Sequence, residues 1–188
     1  MFVLMIAAPI ILSSCATRSG GGNVQERILE IRTDMLHAQR LIINAQITAD
    51  YGDRVYEFTV RYTGEAGISE IAILSPEQIA GVTAEITDGG TTLIFDGARL
   101  DTGAITGDGL SPIGAIPLLI SEWRGGRAEL VGAERFGDID TLTLETAIDD
   151  FVRQRTWFDA RTLLPVRAEI SNEGRTIITS VFSNIVIG

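Results

Sequence analysis

Few side chains in this sequence could carry out covalent chemistry. The 188 residues include one histidine, His37, and one cysteine, Cys15, and all fifteen cationic side chains are arginine. A Ser-His-Asp hydrolase needs an imidazole beside its nucleophile, whereas we expect His37 at the C-terminus of a helix, where a cation is favoured. The absence of lysine excludes Schiff-base and P-loop lysine chemistry. One cysteine and one histidine also cannot build a Cys/His zinc site or an internal disulfide.

Two pairs of acidic residues are the remaining candidates for acid–base or Ca²⁺ chemistry. Asp149 is followed directly by Asp150, and one residue separates Asp138 from Asp140. Neither pair has the spacing of a known catalytic or metal-binding loop, and acidic residues are common in turns between strands. We therefore predict no catalytic residue, no metal site and no enzymatic activity.

The overall charge excludes a further class of function. The formal net charge is −10, with 25 acidic and 15 basic residues. Nucleic-acid binding depends on neutralising phosphates, so an acidic chain without a basic stripe is not expected to bind DNA or RNA. The hydrophobic content of 45% and the length predict a globular chain with one core.

The N-terminal residues have the character of an export signal for a lipoprotein. Residues 2–12 form an apolar run that is too short to span a bilayer as a helix. The run ends in a sequence that resembles the bacterial lipobox, Leu12-Ser13-Ser14-Cys15. In that signal the cysteine thiol receives a diacylglyceryl group and becomes the mature N-terminus.

This resemblance divides the chain into three parts. We predict a signal peptide over residues 1–14, a lipidated Cys15 at the start of a flexible tether over residues 15–22, and a single domain over residues 23–188. Cys15 would carry diacylglycerol and an acyl chain such as palmitate, and no other cofactor is expected. The mature protein would then be anchored by lipid at the extracytoplasmic face of the cell membrane.

The rest of the chain reads mainly as strands. Asn23 is a candidate cap for a first helix with apolar residues at helical spacing, and Ser111 with Pro112 predicts the start of a second helix that ends at Gly125. Alternation of apolar and polar residues predicts roughly nine or ten strands joined by short turns. We therefore predict an α+β fold in which a curled antiparallel sheet carries helices over its concave face.

Apolar residues provide the only candidate binding surface. An apolar helix packed on a curled sheet can leave a cavity that accepts a lipid chain or faces a partner. The candidates are Phe58, Phe95, Ile113, Ile116, Ile120, Trp123 and Trp157. Each could equally be ordinary core, because folding requires an apolar face on every half-buried strand.

Several of these segments resemble the LolA-like lipoprotein-carrier family. The similar segments are Ala45-x-Ile47-x-Ala49-Asp50-Tyr51-Gly52, the helix from Ser111 to Trp123, and Trp157-x-Asp159-x-x-Thr162-x-x-Pro165. The arrangement is most similar to the lipid-anchored spore germination lipoproteins of Clostridia, the GerS group. This resemblance implies an unclosed half-barrel without enzymatic activity.

The resemblance also implies two possible roles. The first is a binding or scaffold module that supports spore cortex peptidoglycan modification and germination through a cell-wall amidase partner. The alternative is a carrier that holds the acyl chains of a lipid or lipoprotein in the concave cavity, as in outer-membrane lipoprotein sorting.

Overall fold

The computed structural model describes residues 21–103 and 109–188. Two α-helices, one short 3-10 helix over Glu77–Ile79 and eleven strands make up this part of the chain, where the sequence predicted roughly nine or ten strands. Their bounds are α1 Gly21–His37, β1 Arg40–Asp50, β2 Val55–Glu65, β3 Ile68–Ser75, β4 Thr83–Thr87, β5 Gly90–Phe95, β6 Ala98–Gly103, α2 Pro112–Gly125, β7 Ala128–Phe136, β8 Ile139–Ala147, β9 Val152–Asp159, β10 Pro165–Asn172 and β11 Arg175–Ile187.

All eleven strands belong to one antiparallel sheet. Their order is β6-β5-β4-β3-β2-β1-β11-β10-β9-β8-β7, so β1 and β11 pair at the centre. The sheet is curled and unclosed, with β6 and β7 as its two edges. Strands that follow one another directly in sequence pair as meanders because short turns leave no room for a crossover. The predicted curled antiparallel sheet with two helices is therefore confirmed.

Strict alternation along β1 defines the two faces of the sheet. Its alternate residues Leu41, Ile43, Ala45, Ile47 and Ala49 are all buried. Residues directly opposite one another on paired antiparallel strands share a face. We call the face that carries these five side chains the helix face, and the other the opposite face.

Both helices contribute to the core, although α1 begins earlier than expected. Its Ile31 and Met35 are buried, as the helical spacing predicts. Because α1 begins at Gly21, the predicted cap Asn23 lies inside it, as do the last two glycines of the predicted tether. The predicted start of α2 is confirmed: the hydroxyl of Ser111 accepts the Gly114 N–H at 3.0 Å, and Pro112 occupies the first turn.

The predicted lipidation signal lies outside the described residues. The signal consists of Leu12, Ser13, Ser14 and Cys15, and the roles of these residues stay predictions. Neither α1 nor α2 combines the length and the apolar character that a helix needs to cross a bilayer.

Candidate functional site

A cluster of three aromatic rings fixes the C-terminal end of α2 against the sheet. The Trp123 ring lies edge-on to Phe158 of β9 and to Phe182 of β11, with ring centroids 5.8 and 5.5 Å apart. Its indole Nε1–H donates to the Thr156 hydroxyl at 3.1 Å. Phe182 is paired with Ala45, which places this cluster on the helix face.

The space beside this cluster is almost filled. A cavity of about 10 Å³ remains between the two helices and β7–β9, which is room for about one water molecule. Gln154 lines it, and its buried Oε1 has no hydrogen-bond partner among the described residues. Glu122 and Arg32 also line it; burial raises the pKa of the Glu122 carboxyl, while the nearby Arg32 charge acts in the opposite direction. An acyl chain does not fit here.

The helix face of β3–β6 is packed differently, and we call these four strands the first wing. A row of side chains crosses the wing from Tyr62 through Ile71, Ala84 and Leu93 to Leu100, each paired with the next. Tyr62, Ile71 and Ala84 are buried, Leu93 is half-buried, and Leu100 is 63% exposed. The apolar helix face therefore continues beyond the part that the core covers.

Two of the predicted candidates extend this uncovered apolar surface. Phe95 pairs with Ala98, lies on the same side as Leu93 and is 51% exposed. Phe58 is paired with the buried Ile47 and is half-buried against the core. The row of apolar side chains thus runs along the helix face from the buried Tyr62 to an exposed end at Phe95 and Leu100, and we call this row the trough.

A large open cavity lies at one end of this trough. It has a volume of about 710 Å³ and is bordered by the ends of both helices, the β2–β3 hairpin and the β4–β5 turn. The exposed Ile68 contributes apolar surface, and the hydroxyl of the buried Tyr62 is hydrogen-bonded to the Ser69 hydroxyl at 2.9 Å. This volume is in the range of pockets that bind small molecules.

Charges of both signs border the cavity. Arg124, in the last turn of α2, uses its Nε–H to donate to the Met35 carbonyl of α1 at 3.1 Å. Glu65 from the hairpin and Asp88 from the turn are on the cavity border as well. Glu65 pairs with Arg40 at 3.5 Å, whereas no ion pair of Arg124 or Asp88 is found among the described residues. The cavity thus joins apolar surface to charged groups.

The other predicted candidates belong mostly to the core. Ile116, Ile120 and Trp123 are buried, and Ile113 is partly buried against the same cluster. They support the helix face without lining the large cavity. The alternative interpretation of ordinary core residues therefore applies to these four.

Trp157, a candidate for lining the cavity or facing a partner, lies away from the helix face. Its neighbours Thr156 and Phe158 both contact Trp123 on the helix face, so Trp157 points to the opposite face. There its Nε1–H donates to the Glu134 carboxylate at 2.8 Å, and the guanidinium groups of Arg155 and Arg167 lie 5.9 and 5.6 Å from its ring centroid. Charged side chains cover the ring, which is only 8% exposed.

The acidic pairs take part in local contacts. The Asp149 carboxylate accepts the backbone N–H groups of Val152 and Phe151, both at 2.7 Å, which lowers its pKa. Asp140 pairs with Arg135 at 3.5 Å. Among the residues that the structure describes, no three His, Cys, Asp or Glu side chains are grouped to hold a metal ion.

The sequence reasoning missed the residues that connect the trough to the cavity. Arg124, Glu65 and Asp88 were not candidates, because nothing in their local sequence marks them. Leu93 and Leu100 could have been found from the alternation that places Phe95 on the same face, since residues two apart on a strand share a face.

No protein-family model and no curated protein sequence matches this chain. Several solved structures do match it in fold. An uncharacterised conserved protein from Thermus thermophilus has a TM-score of 0.56 at 12% identity, covering 87% of each chain. A domain assigned to outer membrane lipoprotein sorting from Vibrio parahaemolyticus has a TM-score of 0.50 at 13% identity, covering 86% of this chain and 91% of its own.

A mycobacterial lipoprotein matches to a similar extent. LppX from Mycobacterium tuberculosis has a TM-score of 0.50 at 13% identity, covering 88% of this chain and 96% of its own. At such identities the likeness concerns the fold alone. The chain shares its fold with a domain assigned to lipoprotein sorting and with a lipoprotein, in line with the broad resemblance seen in the sequence. None of these three structures is described as a spore germination protein.

Proposed function

We propose that this protein is a non-enzymatic carrier that binds the acyl chain of a lipid or lipoprotein in the trough of the first wing. The proposal takes the helix face as the concave face of the sheet and the helices as its cover. The single observation that carries it is the apolar trough, which remains partly exposed at Phe95 and Leu100 and is continuous in register with the core.

Two further observations support a carrier. Burying apolar surface is favourable by about 25 cal/mol per Å², so the exposed end of the trough gains from a chain laid along it. The neighbouring cavity of about 710 Å³ is open, as a site that loads and releases a ligand must be. The Vibrio domain is assigned to lipoprotein sorting and LppX is a lipoprotein, so two proteins of this fold are associated with lipoproteins.

The scaffold role with a cell-wall amidase, and the grouping with spore germination lipoproteins, stay predictions from the sequence resemblance. No described contact, cavity or charged surface points to an amidase. The carrier function, first considered as the alternative, therefore takes precedence.

Native mass spectrometry of the full chain taken from membranes tests the carrier function. We expect a co-purifying lipid or lipoprotein, whose amount falls about tenfold or more when polar groups enter the trough in Leu93→Gln/Leu100→Gln. Val131→Gln and Val186→Gln serve as matched controls, because both residues are exposed and apolar but lie outside the trough. Protein that is free of lipid under all conditions would contradict the proposal.

The proposed location is the extracytoplasmic face of the cell membrane, with an anchor at Cys15. This part of the proposal rests on the lipobox-like Leu12-Ser13-Ser14-Cys15 sequence. Labelled palmitate fed to cells is expected to enter the wild-type chain, and Cys15→Ser is expected to abolish the label and release the protein from membranes. Equal labelling of both chains would rule out this anchor.

A further inference from the structure

We infer that the 710 Å³ cavity binds a zwitterionic phospholipid headgroup, with its phosphate on Arg124 and its ammonium on Asp88 and Glu65. The inference rests on the proposed carrier function and names the class of lipid that it selects. It depends on the charges at the cavity, which acyl-chain binding itself does not require.

Arg124 is suited to the phosphate because it is held in place and retains free donors. Its Nε–H is fixed by the Met35 carbonyl at 3.1 Å, and the side chain is half-buried. A guanidinium has five N–H donors in a planar fork that matches phosphate oxygens. Eight arginines in the described ranges form ion pairs with carboxylates, and Arg124 is not among them.

The other side of the cavity is suited to a cation. Asp88 lies in the β4–β5 turn and Glu65 at the end of β2, and both border the same space as Arg124. The C-terminal end of α1 also reaches this cavity, through Leu36 and Ala38. Helix C-termini carry partial negative charge, which adds to the attraction for an ammonium group.

The position of these charges relative to the trough fits a lipid. Tyr62 borders the cavity and begins the row of side chains that crosses the first wing to Leu100. A headgroup in the cavity therefore lies at the buried end of the row, whose far end is exposed at Leu100. A fatty acid would leave Asp88 without a cationic partner, while Glu65 would keep its ion pair with Arg40. An anionic headgroup such as glycerol phosphate would face both carboxylates.

The test measures which headgroup the full chain retains. The purified chain is reconstituted into vesicles with equal amounts of phosphatidylethanolamine and phosphatidylglycerol of identical acyl chains, then recovered and analysed by native mass spectrometry. We expect phosphatidylethanolamine to be retained about fivefold over phosphatidylglycerol, a preference typical of partly exposed charge pairs. Equal retention of both lipids would overturn the inference and leave the carrier function intact, whereas retention of neither would contradict the carrier function.

Variants of the charged residues give the sharper result. Asp88→Asn/Glu65→Gln is expected to bring retention of the two lipids within about twofold, because the ammonium loses its partners. Arg124→Gln is expected to lower retention of both lipids, while Arg124→Lys keeps the charge and part of the binding. Arg127→Gln is the matched control, because Arg127 is an exposed arginine just beyond α2 that does not border the cavity.

The stability of each variant separates a folding defect from a binding defect. Arg124 also links α2 to α1, so its variants are compared by thermal unfolding. If Arg124→Gln unfolds early, Asp88→Asn/Glu65→Gln still decides the matter, since both carboxylates are on the surface. An unchanged headgroup preference in that double variant would contradict the inference.

Discussion

Asp159 shows how one carboxylate fixes a turn in this fold. Its Oδ1 accepts the backbone N–H groups of Arg161 at 2.7 Å and Thr162 at 3.1 Å, in the hairpin between β9 and β10. The hairpin contains Leu163 in the left-handed region, with φ of 57°. Because these donors favour the ionised form, the Arg161 N–H most of all, the pKa of Asp159 is below its usual value. The resemblance motif that includes Asp159 is therefore a structural device for this turn.

Replacing Asp159 should destabilise the protein in a pH-dependent way. A lowered pKa in the folded state adds stability that is fully present above the unfolded pKa of about 4. That stability is lost as the pH falls through the lower folded value. In urea unfolding, Asp159→Ala is expected to lower the free energy of unfolding by about 1–3 kcal/mol at pH 7. The difference from the wild type should become smaller below about pH 4. The exposed Asp150→Ala is the control, and a loss for Asp159→Ala that does not change with pH would contradict this role.

The α2 helix is the element that joins the core to the cavity. Its N-terminal end is capped by Ser111, its middle buries Ile116 and Ile120, and its last turn presents Trp123 to the core and Arg124 to the cavity. These residues act together only if the helix runs without fraying along its length. The stability of the Ser111 cap therefore affects the last turn of α2, which carries Arg124, because both belong to the same helix.

The Ser111 cap provides a direct test of this element. Ser111→Ala removes the acceptor for the Gly114 N–H and is expected to cost about 1 kcal/mol in the free energy of unfolding. Ser111→Asp keeps an acceptor and should retain most of the stability. The control is Ser121→Ala, an exposed position within the same helix where alanine is the better helix former. Chemical denaturation that shows no difference between Ser111→Ala and Ser121→Ala would argue against the cap.

At the scale of the whole molecule, the helix face of the sheet is packed differently in its two halves. The strands β7–β9 are sealed by the helices with only about 10 Å³ left over. The trough of the first wing is exposed at Phe95 and Leu100, and a cavity of about 710 Å³ lies next to its buried end. The half with β7–β9 therefore supplies stability, and the first wing keeps surface available for a ligand.

Local patterns predicted the elements well, because each strand carries its own alternation. The five buried residues of β1, the cap at Ser111 and the end of α1 at His37 were all visible in the sequence. The failures arise where a face depends on distant elements. In β9, Thr156, Trp157 and Phe158 are all buried, so alternation cannot tell which face is apolar. The side of Trp157 is decided instead by the helix that reaches Thr156 and Phe158.

The candidate site was harder to predict for the same reason. Phe95 was identified by type, yet its exposure follows from which part of the sheet the helices leave uncovered. Arg124 becomes part of a site only because the ends of α1, α2, the β2–β3 hairpin and the β4–β5 turn meet at one place. These segments are far apart in the sequence, and no residue spacing predicts that they lie together.

The two tryptophans allow the most direct test of binding on the helix face. Trp123 lies on that face, next to the cavity residue Arg124, while Trp157 lies on the opposite face. Bromine atoms on an acyl chain quench tryptophan fluorescence only at short range. With brominated phospholipid loaded into the full chain, we expect Trp123 in the Trp157→Phe variant to be quenched more strongly than Trp157 in the Trp123→Phe variant, because only Trp123 lies on the face that carries the trough. Equal quenching of both, or quenching of Trp157 alone, would contradict binding on the helix face.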